Sequence, residues 1–223
     1  MRLINKYFRH PGFILLCSFF HQEGNDCQAG RKRLYCRPLE ILLRGADDMI
    51  RSFQGIQPVI DPSAFVAETA VVIGAVEMGP HSSVWYNCVV RGDVNFIRIG
   101  ARSNVQDMSM LHVTHKKHAD DPGAPLIIGD DVTIGHTVTL HGCTLRDGCF
   151  IGMQALVMDK AVVGEGALVG ARALVTEGTV IEPHTLWVGA PAKYKRDLTQ
   201  DEVAWLKKSA DNYVKYALQY ING

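Results

Sequence analysis

Aliphatic residues recur at every sixth position along most of this 223-residue chain. One run is Ile60, Val66, Val72, Met78, Val84 and Val90; a second is Ile99, Val105 and Leu111; a third is Ile128, Ile134 and Leu140. The longest run is Leu145, Ile151, Val157, Val163, Val169, Val175 and Ile181. Glycine often follows the aliphatic, as at Gly100, Gly129, Gly135, Gly152, Gly164 and Gly170. A small or β-branched residue sits four positions on, as at Ser103, Val132, Val138, Ala155, Ala167, Ala173 and Thr179. Neither helical periodicity nor simple strand alternation produces a six-residue period. Short strands joined by tight, glycine-tolerant turns do produce it. Three such strands make one triangular coil of a parallel β-helix, a mainly β solenoid whose aliphatic phase stacks into the core.

The solenoid is expected over residues 49–194, followed by a helical segment over 195–223 in which an amphipathic helix runs from Thr199 to Ile221. Thr199 and Glu202 have capping-box spacing, and Val203, Leu206, Tyr213, Tyr216 and Ala217 recur at helical intervals, so a helix should pack along the outside of the coils. Residues 1–48 lack the repeat and are read as an extra extension, disordered or not native, with Met49 opening the first coil. Their apolar stretch from Gly12 to Phe20 is too short for a membrane-spanning helix, and no small-residue cleavage site follows it to make a secretory signal. Cys17, Cys27 and Cys36 show no metal or redox spacing, and Cys88, Cys143 and Cys149 read as small residues of the repeat. Formal net charge is zero and no long basic run occurs, which favours neither nucleic acid nor an anionic membrane. A reduced, cytoplasmic protein is the expectation.

The register then places three histidines. With Ile99, Val105 and Leu111 as one coil and Ile128, Ile134 and Leu140 as the next, residues 112–126 become a loop inserted at a corner, rich in Asp, Pro and Gly. His112 and His141 each follow the third-face aliphatic, so they share a column one rung apart, about 4.8 Å. Two imidazoles so placed can share a metal, and a third leaves one coordination position open. His136 belongs to the second face, so it would most simply reach such a metal from a neighbouring copy around a threefold axis. The register requires the irregularity at Phe96 and Ile97 to be a local insertion. Arg91 lies one rung before His112, with Asp93 in the turn beyond it. Gln106 and Asp107 follow Val105, and Asp107 lies one rung before His136. Arginine and aspartate from facing copies would suit a charge-assisted pair across the seam.

The segments Arg91-Gly92-Asp93, Asn104-Val105-Gln106-Asp107, Leu111-His112, His136 through His141-Gly142 and Ile151-Gly152-Met153-Gln154-Ala155 resemble the gamma-class carbonic anhydrases. The resemblance runs from about Met49 to the Val188-Gly189-Ala190-Pro191 segment. It implies a left-handed β-helix, an exception to the usual crossover hand, in a homotrimer with metal sites between subunits. His112 and His141 of one chain and His136 of the next would be the ligands, with Arg91, Asp93, Gln106 and Asp107 as further site residues. The implied metal is Zn2+, with Fe2+ or Co2+ also suited to imidazole ligands. The implied reaction is reversible hydration of carbon dioxide to bicarbonate. Gln106 would orient the nucleophile, Asp93 and Asp107 would orient surrounding groups, and Arg91 would clamp the seam.

One departure concerns the proton. Val94 stands where the best-studied active pattern of that family has a glutamate, and the family's acidic loop is replaced by His112-Val113-Thr114-His115-Lys116-Lys117-His118. His115 or His118 is an alternative carrier, since imidazole titrates near neutrality; the plainer reading is a solvated loop. Rival functions are a metal-dependent hydrolase of CoA thioesters, a hexapeptide acyltransferase-like protein, and a non-catalytic trimeric assembly subunit with a structural metal. His81, His184, Trp85 and Trp187 read as packing or surface residues, and the glycines around Glu165 lack the helix and lysine of a phosphate loop.

Overall fold

A computed structural model describes residues 6–10, 13–17, 49–118 and 120–222, in two compact units, 1–42 and 43–223. In the first unit the strands Lys6–His10 and Phe13–Cys17 pair antiparallel. The rest of the reading of residues 1–48 lies outside the described residues.

The second unit is a parallel β-helix whose coils stack in the expected register. On the first face Ile99, Ile128, Leu145, Val163 and Ile181 are successive partners. On the second face Val84, Val105, Ile134, Ile151 and Val169 follow one another. On the third the column is Val72, Val90, Leu111, Leu140, Val157 and Val175. All of these are buried, while Ile60 and Val66 at the open first coil are only partly covered. Ser103, Val132, Val138, Ala155, Ala167 and Ala173 are buried as well and fill the corners of the prism.

The glycines have a different task from the one expected of them. The left-handed turn residues lie three positions after the aliphatic and are mostly not glycine: Arg102 (φ 61°), Met108 (60°), Asp131 (57°), Thr137 (57°), Gln154 (62°) and Lys160 (59°). Each such residue costs about 1–2 kcal/mol relative to glycine. Backbone bonds between coils offset this, including Thr137 N to Asp107 O at 2.9 Å and Gln154 N to His136 O at 2.9 Å. The glycine directly after the aliphatic is needed for close stacking instead. A Cβ at Gly135 would lie 2.9 Å from Met153 N, and one at Gly152 would lie 2.5 Å from Ala171 N.

The irregularity at Phe96 and Ile97 is a local insertion. The strands Val71–Met78 and Val89–Ile99 run without a break from the third face into the first face of the next coil. Gly74 pairs with Gly92 and Val76 with Ile97, so Ala75 alone stands opposite residues 93–96. The second insertion, after Met110–His112, closes through backbone bonds between Thr114 and Ala124 of 2.9 and 3.1 Å.

The helix keeps nearly the Thr199–Ile221 span expected for it, and residues 195–197 before it belong to a strand. Lys193–Asp197 pairs antiparallel with Thr185–Val188, and the helix spans Gln200–Asn222. Its start is the expected box: Thr199 N donates to Glu202 Oε2 at 2.9 Å and Glu202 N donates to Thr199 Oγ1 at 3.3 Å. Leu206, Ala210 and Ala217 are buried, whereas Tyr216 stays largely exposed. Trp85 on the second face anchors the helix, with its ring 5.5 Å from Tyr213 and 5.4 Å from Tyr220. Its indole N–H donates to Ser83 Oγ at 2.9 Å. No helix among the described residues is long and apolar enough to cross a membrane.

Leu140 has no exposed surface and sits between Leu111 and Val157. Leu140→Ala is expected to lower unfolding free energy by about 2–5 kcal/mol. Urea denaturation followed by circular dichroism checks this; a change below 1 kcal/mol, roughly the cost of a volume-conserving swap, would contradict the stacked core.

Candidate metal centre

The third-face column sets the site. Strand Met110–His112 pairs with Thr139–His141 so that His112 stands beside His141. Their rings approach edge-on with centroids 5.0 Å apart, and His112 Nδ1 faces His141 Nε2 at 3.1 Å. The outer nitrogens are each taken by a carboxylate. His112 Nε2 is 3.1 Å from Asp93 Oδ1, and His141 Nδ1 is 2.5 Å from Asp159 Oδ1. Each carboxylate has its own second partner: Arg91 Nη1 donates to Asp93 Oδ2 at 2.5 Å, and Thr114 Oγ1 donates to Asp159 Oδ2 at 2.6 Å.

Proton counting shows what this row lacks. Asp93, His112, His141 and Asp159 make three contacts, and two neutral imidazoles bring one N–H each. Once those protons go to the carboxylates, two bare nitrogen lone pairs face one another. The gap must then hold a further proton or a cation. Burial lowers the basicity of His112 and outweighs the opposing bond from Asp93, which disfavours a further proton on that ring. Two nitrogen ligands on a tetrahedral zinc at about 2.0–2.1 Å lie about 3.3 Å apart. The 3.1 Å spacing therefore fits a shared divalent ion.

Burial raises the Asp93 carboxyl, but bonds from Arg91 and His112 outweigh it and hold it below its ordinary value of 3.8. Asp159 behaves alike: burial raises it, and bonds from Thr114 and His141 outweigh burial and hold it below its ordinary value. Both groups are thus anionic at neutral pH and accept hydrogen bonds from the rings.

His136, Gln106 and Asp107 form a separate group on the second face. His136 Nδ1 is 2.8 Å from Asp107 Oδ2, and both side chains are partly accessible. Gln106 is buried, and its Nε2 donates to Asn104 Oδ1 at 3.2 Å. Among the described residues no group of three His, Cys, Asp or Glu side chains in one chain could hold a metal. The fold brings Arg91, Asp93, His112 and His141 together and keeps Gln106, Asp107 and His136 apart from them. Within the chain Arg91 pairs with Asp93 and Asp107 pairs with His136.

The hexapeptide repeat of succinyl-transferase matches residues 125–154. Gamma carbonic anhydrase 1, mitochondrial, of Arabidopsis thaliana is 48% identical over 160 residues, 72% of this chain and 58% of that one. Carbonic anhydrase of Geobacillus kaustophilus is 42% identical over 172 residues, 77% of this chain and 91% of that one. The chain belongs to the gamma carbonic anhydrase family. It spans about three-fifths of the plant relative's length. A solved hexapeptide transferase family protein from Anaplasma phagocytophilum superposes with a TM-score of 0.73 at 38% identity, over 78% of this chain and 99% of that one.

In this member of the gamma carbonic anhydrase family the sequence reading missed Asp159 and Thr114. Asp159 lies in the turn after strand Leu156–Val157, eighteen residues beyond His141, which is one coil. That offset was the available signal. His115 and His118 are exposed on the inserted loop, and Val94 is exposed at the bulge. A recess of about 270 Å3 beside Asp93 is lined by Phe53, Ile56, Val94, Phe96 and Lys116.

A carboxyl depressed by folding contributes stability that is present above the unfolded pKa and is lost as pH falls through the folded one. For Asp93 the loss should therefore begin near 3.8 and continue below it. Urea midpoints across that range are expected to fall less steeply with acid in Asp93→Asn than in the wild type. Parallel slopes would show that Asp93 carries none of this linkage.

Proposed function

We propose that the chain is a subunit of a metal-dependent carbonic anhydrase that hydrates carbon dioxide reversibly to bicarbonate at sites between copies in a homotrimer. The facing nitrogens of His112 and His141, 3.1 Å apart with both outer nitrogens on carboxylates, carry this reading. The relatives named carbonic anhydrase support it. His112 and His141 would hold the ion from one chain and His136 from the next. The donor set suits Zn2+, and equally Fe2+ or Co2+. When bound, such a cation supplies Lewis acidity that brings the ionisation of water toward neutral pH, which makes a nucleophile for carbon dioxide.

Exposed apolar side chains around both histidine groups support an interface between copies. Met153 lies one rung above His136, and Met110, Leu156 and Met158 flank the His112–His141 column. Packing against a copy would cover them. In such a seam Asp93 holds His112, and Asp107 holds His136 from the second face. Arg91 neutralises Asp93 while staying partly exposed, which keeps it available to a facing carboxylate. Gln106, with its Nε2 on Asn104, is the group proposed to orient the reacting water or the product. The proton then leaves through solvent or the His115 and His118 loop, since Val94 offers no carboxylate. Cys88, Cys143 and Cys149 are free thiols, in keeping with a cytoplasmic or other reducing compartment.

A second reading is hydrolysis of a CoA thioester with the same ligands. The recess of Phe53, Ile56, Val94 and Phe96 with Lys116 beside Asp93 favours it, because carbon dioxide needs no such apolar wall.

Carbon dioxide–bicarbonate exchange by protein loaded with zinc, cobalt or anaerobic iron tests the first reading. Exchange above background that His141→Ala abolishes is expected. No exchange at full occupancy would overturn it, and acyl-CoA hydrolysis by the same preparation would establish the second reading. With proton release unassisted by a carboxylate, steady-state hydration is expected to rise with imidazole buffer concentration. A rate independent of buffer would point to an internal carrier, with His115→Ala and His118→Ala as the variants that locate it.

A further inference from the structure

We propose that Asp159, held by Thr114, is the positioning residue that sets the tautomer of His141 and aims its Nε2 at the shared site. The inference rests on the metal-binding reading above and adds a residue from outside the site motifs.

For a neutral His141 the geometry leaves one arrangement of protons. An ionised carboxylate only accepts. Asp159 Oδ1 lies 2.5 Å from His141 Nδ1, so that nitrogen carries the hydrogen and Nε2 is left bare. The bare nitrogen is the one facing His112. Thr114 Oγ1 lies 3.5 Å from His141 Nδ1, whereas its bond to Asp159 Oδ2 is 2.6 Å, so it acts on the carboxylate and not on the ring. Thr114 itself is fixed at the neck of the inserted loop. Its backbone exchanges bonds with Ala124, and Asn95 Nδ2 donates to its carbonyl at 3.0 Å.

Gly142 fits the same arrangement. A Cβ there would stand 2.7 Å from Asp159 Oδ1 and 2.6 Å from the Cβ of Ala124. The glycine after His141 thus leaves the space through which Asp159 reaches the ring. Each histidine consequently has a private carboxylate with a private anchor: Asp93 with Arg91 for His112, Asp159 with Thr114 for His141. The second arrangement links the ligand to the neck of the 115–123 loop.

The test uses the full chain, first without metal. Long-range 1H–15N NMR of His141 is expected to show the Nδ1–H tautomer in wild type and a shift toward Nε2–H in Asp159→Ala. Zinc affinity, read by chelator competition, is expected to fall about 10–100-fold in that variant. Thr114→Val is expected to move both readouts the same way by less. Asp159→Asn keeps the shape of the side chain and serves where the alanine variant does not fold, with an affinity loss toward the lower end of that range. A folded Asp159 variant with the wild-type tautomer and affinity would overturn the proposal. If the tautomer moves but wild type binds no zinc, the positioning role stands and the metal reading fails.

Discussion

Stacking of aliphatic side chains from coil to coil is the constraint on which everything else in the solenoid depends. Leu140 lies on Leu111 and Val157 on Leu140, and this alone places His141 beside His112. A slip of one residue would turn the whole buried column outward. The register that buries the core is therefore the register that builds the site. Glycines such as Gly135 and Gly152 protect it by letting consecutive coils approach to contact distance. The turn residues that take left-handed backbone are held by hydrogen bonds to the neighbouring coil, and Thr137 bonds Asp107 in just this way. Asp107 and His136 are thus aligned by the backbone that supports them.

Polar side chains on this scaffold form a row along the third face. Arg91, Asp93, His112, His141, Asp159 and Thr114 are linked contact by contact. The two ends of the row are charged or hydrogen-bonded, and its middle is two facing ring nitrogens 3.1 Å apart. Carboxylates that hold the outer nitrogens of both rings are the kind of support a metal-ligating histidine has. The second-face group is simpler, with His136 on Asp107 and Gln106 on Asn104. The C-terminal helix, anchored on Trp85, lies over this same face. Its Tyr213 hydroxyl is pushed up to about 12 by burial, with the Asp107 charge adding to it.

The sequence made the repetitive parts legible and hid the local ones. The six-residue period reveals the coils, their register and the His112–His141 column, because each depends on stacking alone. The capping box at Thr199 and Glu202 is legible for a similar reason, being a contact three residues apart. Turn conformation was not legible: the glycines point to the wrong position, since close stacking and left-handed backbone both favour glycine. Asp159 was missed because its partner lies eighteen residues back, and the turn at Met158-Asp159-Lys160 carries no recognisable motif. Trp85 was missed because its partners, Tyr213 and Tyr220, are more than a hundred residues away. Residues 195–197 of the strand Lys193–Asp197 were placed in the helical segment because three consecutive charged residues show no period.

The central claim is a metal centre completed by two copies of the chain. Complementation tests it most directly: one variant lacks the third-face pair, His112→Ala with His141→Ala, and the other carries His136→Ala. Neither is expected to bind zinc alone. After the two are unfolded together and refolded as a mixture, about a quarter of the interfaces in random trimers would combine an intact pair with an intact His136. The account predicts that zinc binding returns to that extent in the mixture. A mixture that binds no more zinc than its separate components, although mixed assemblies form, would contradict a shared site.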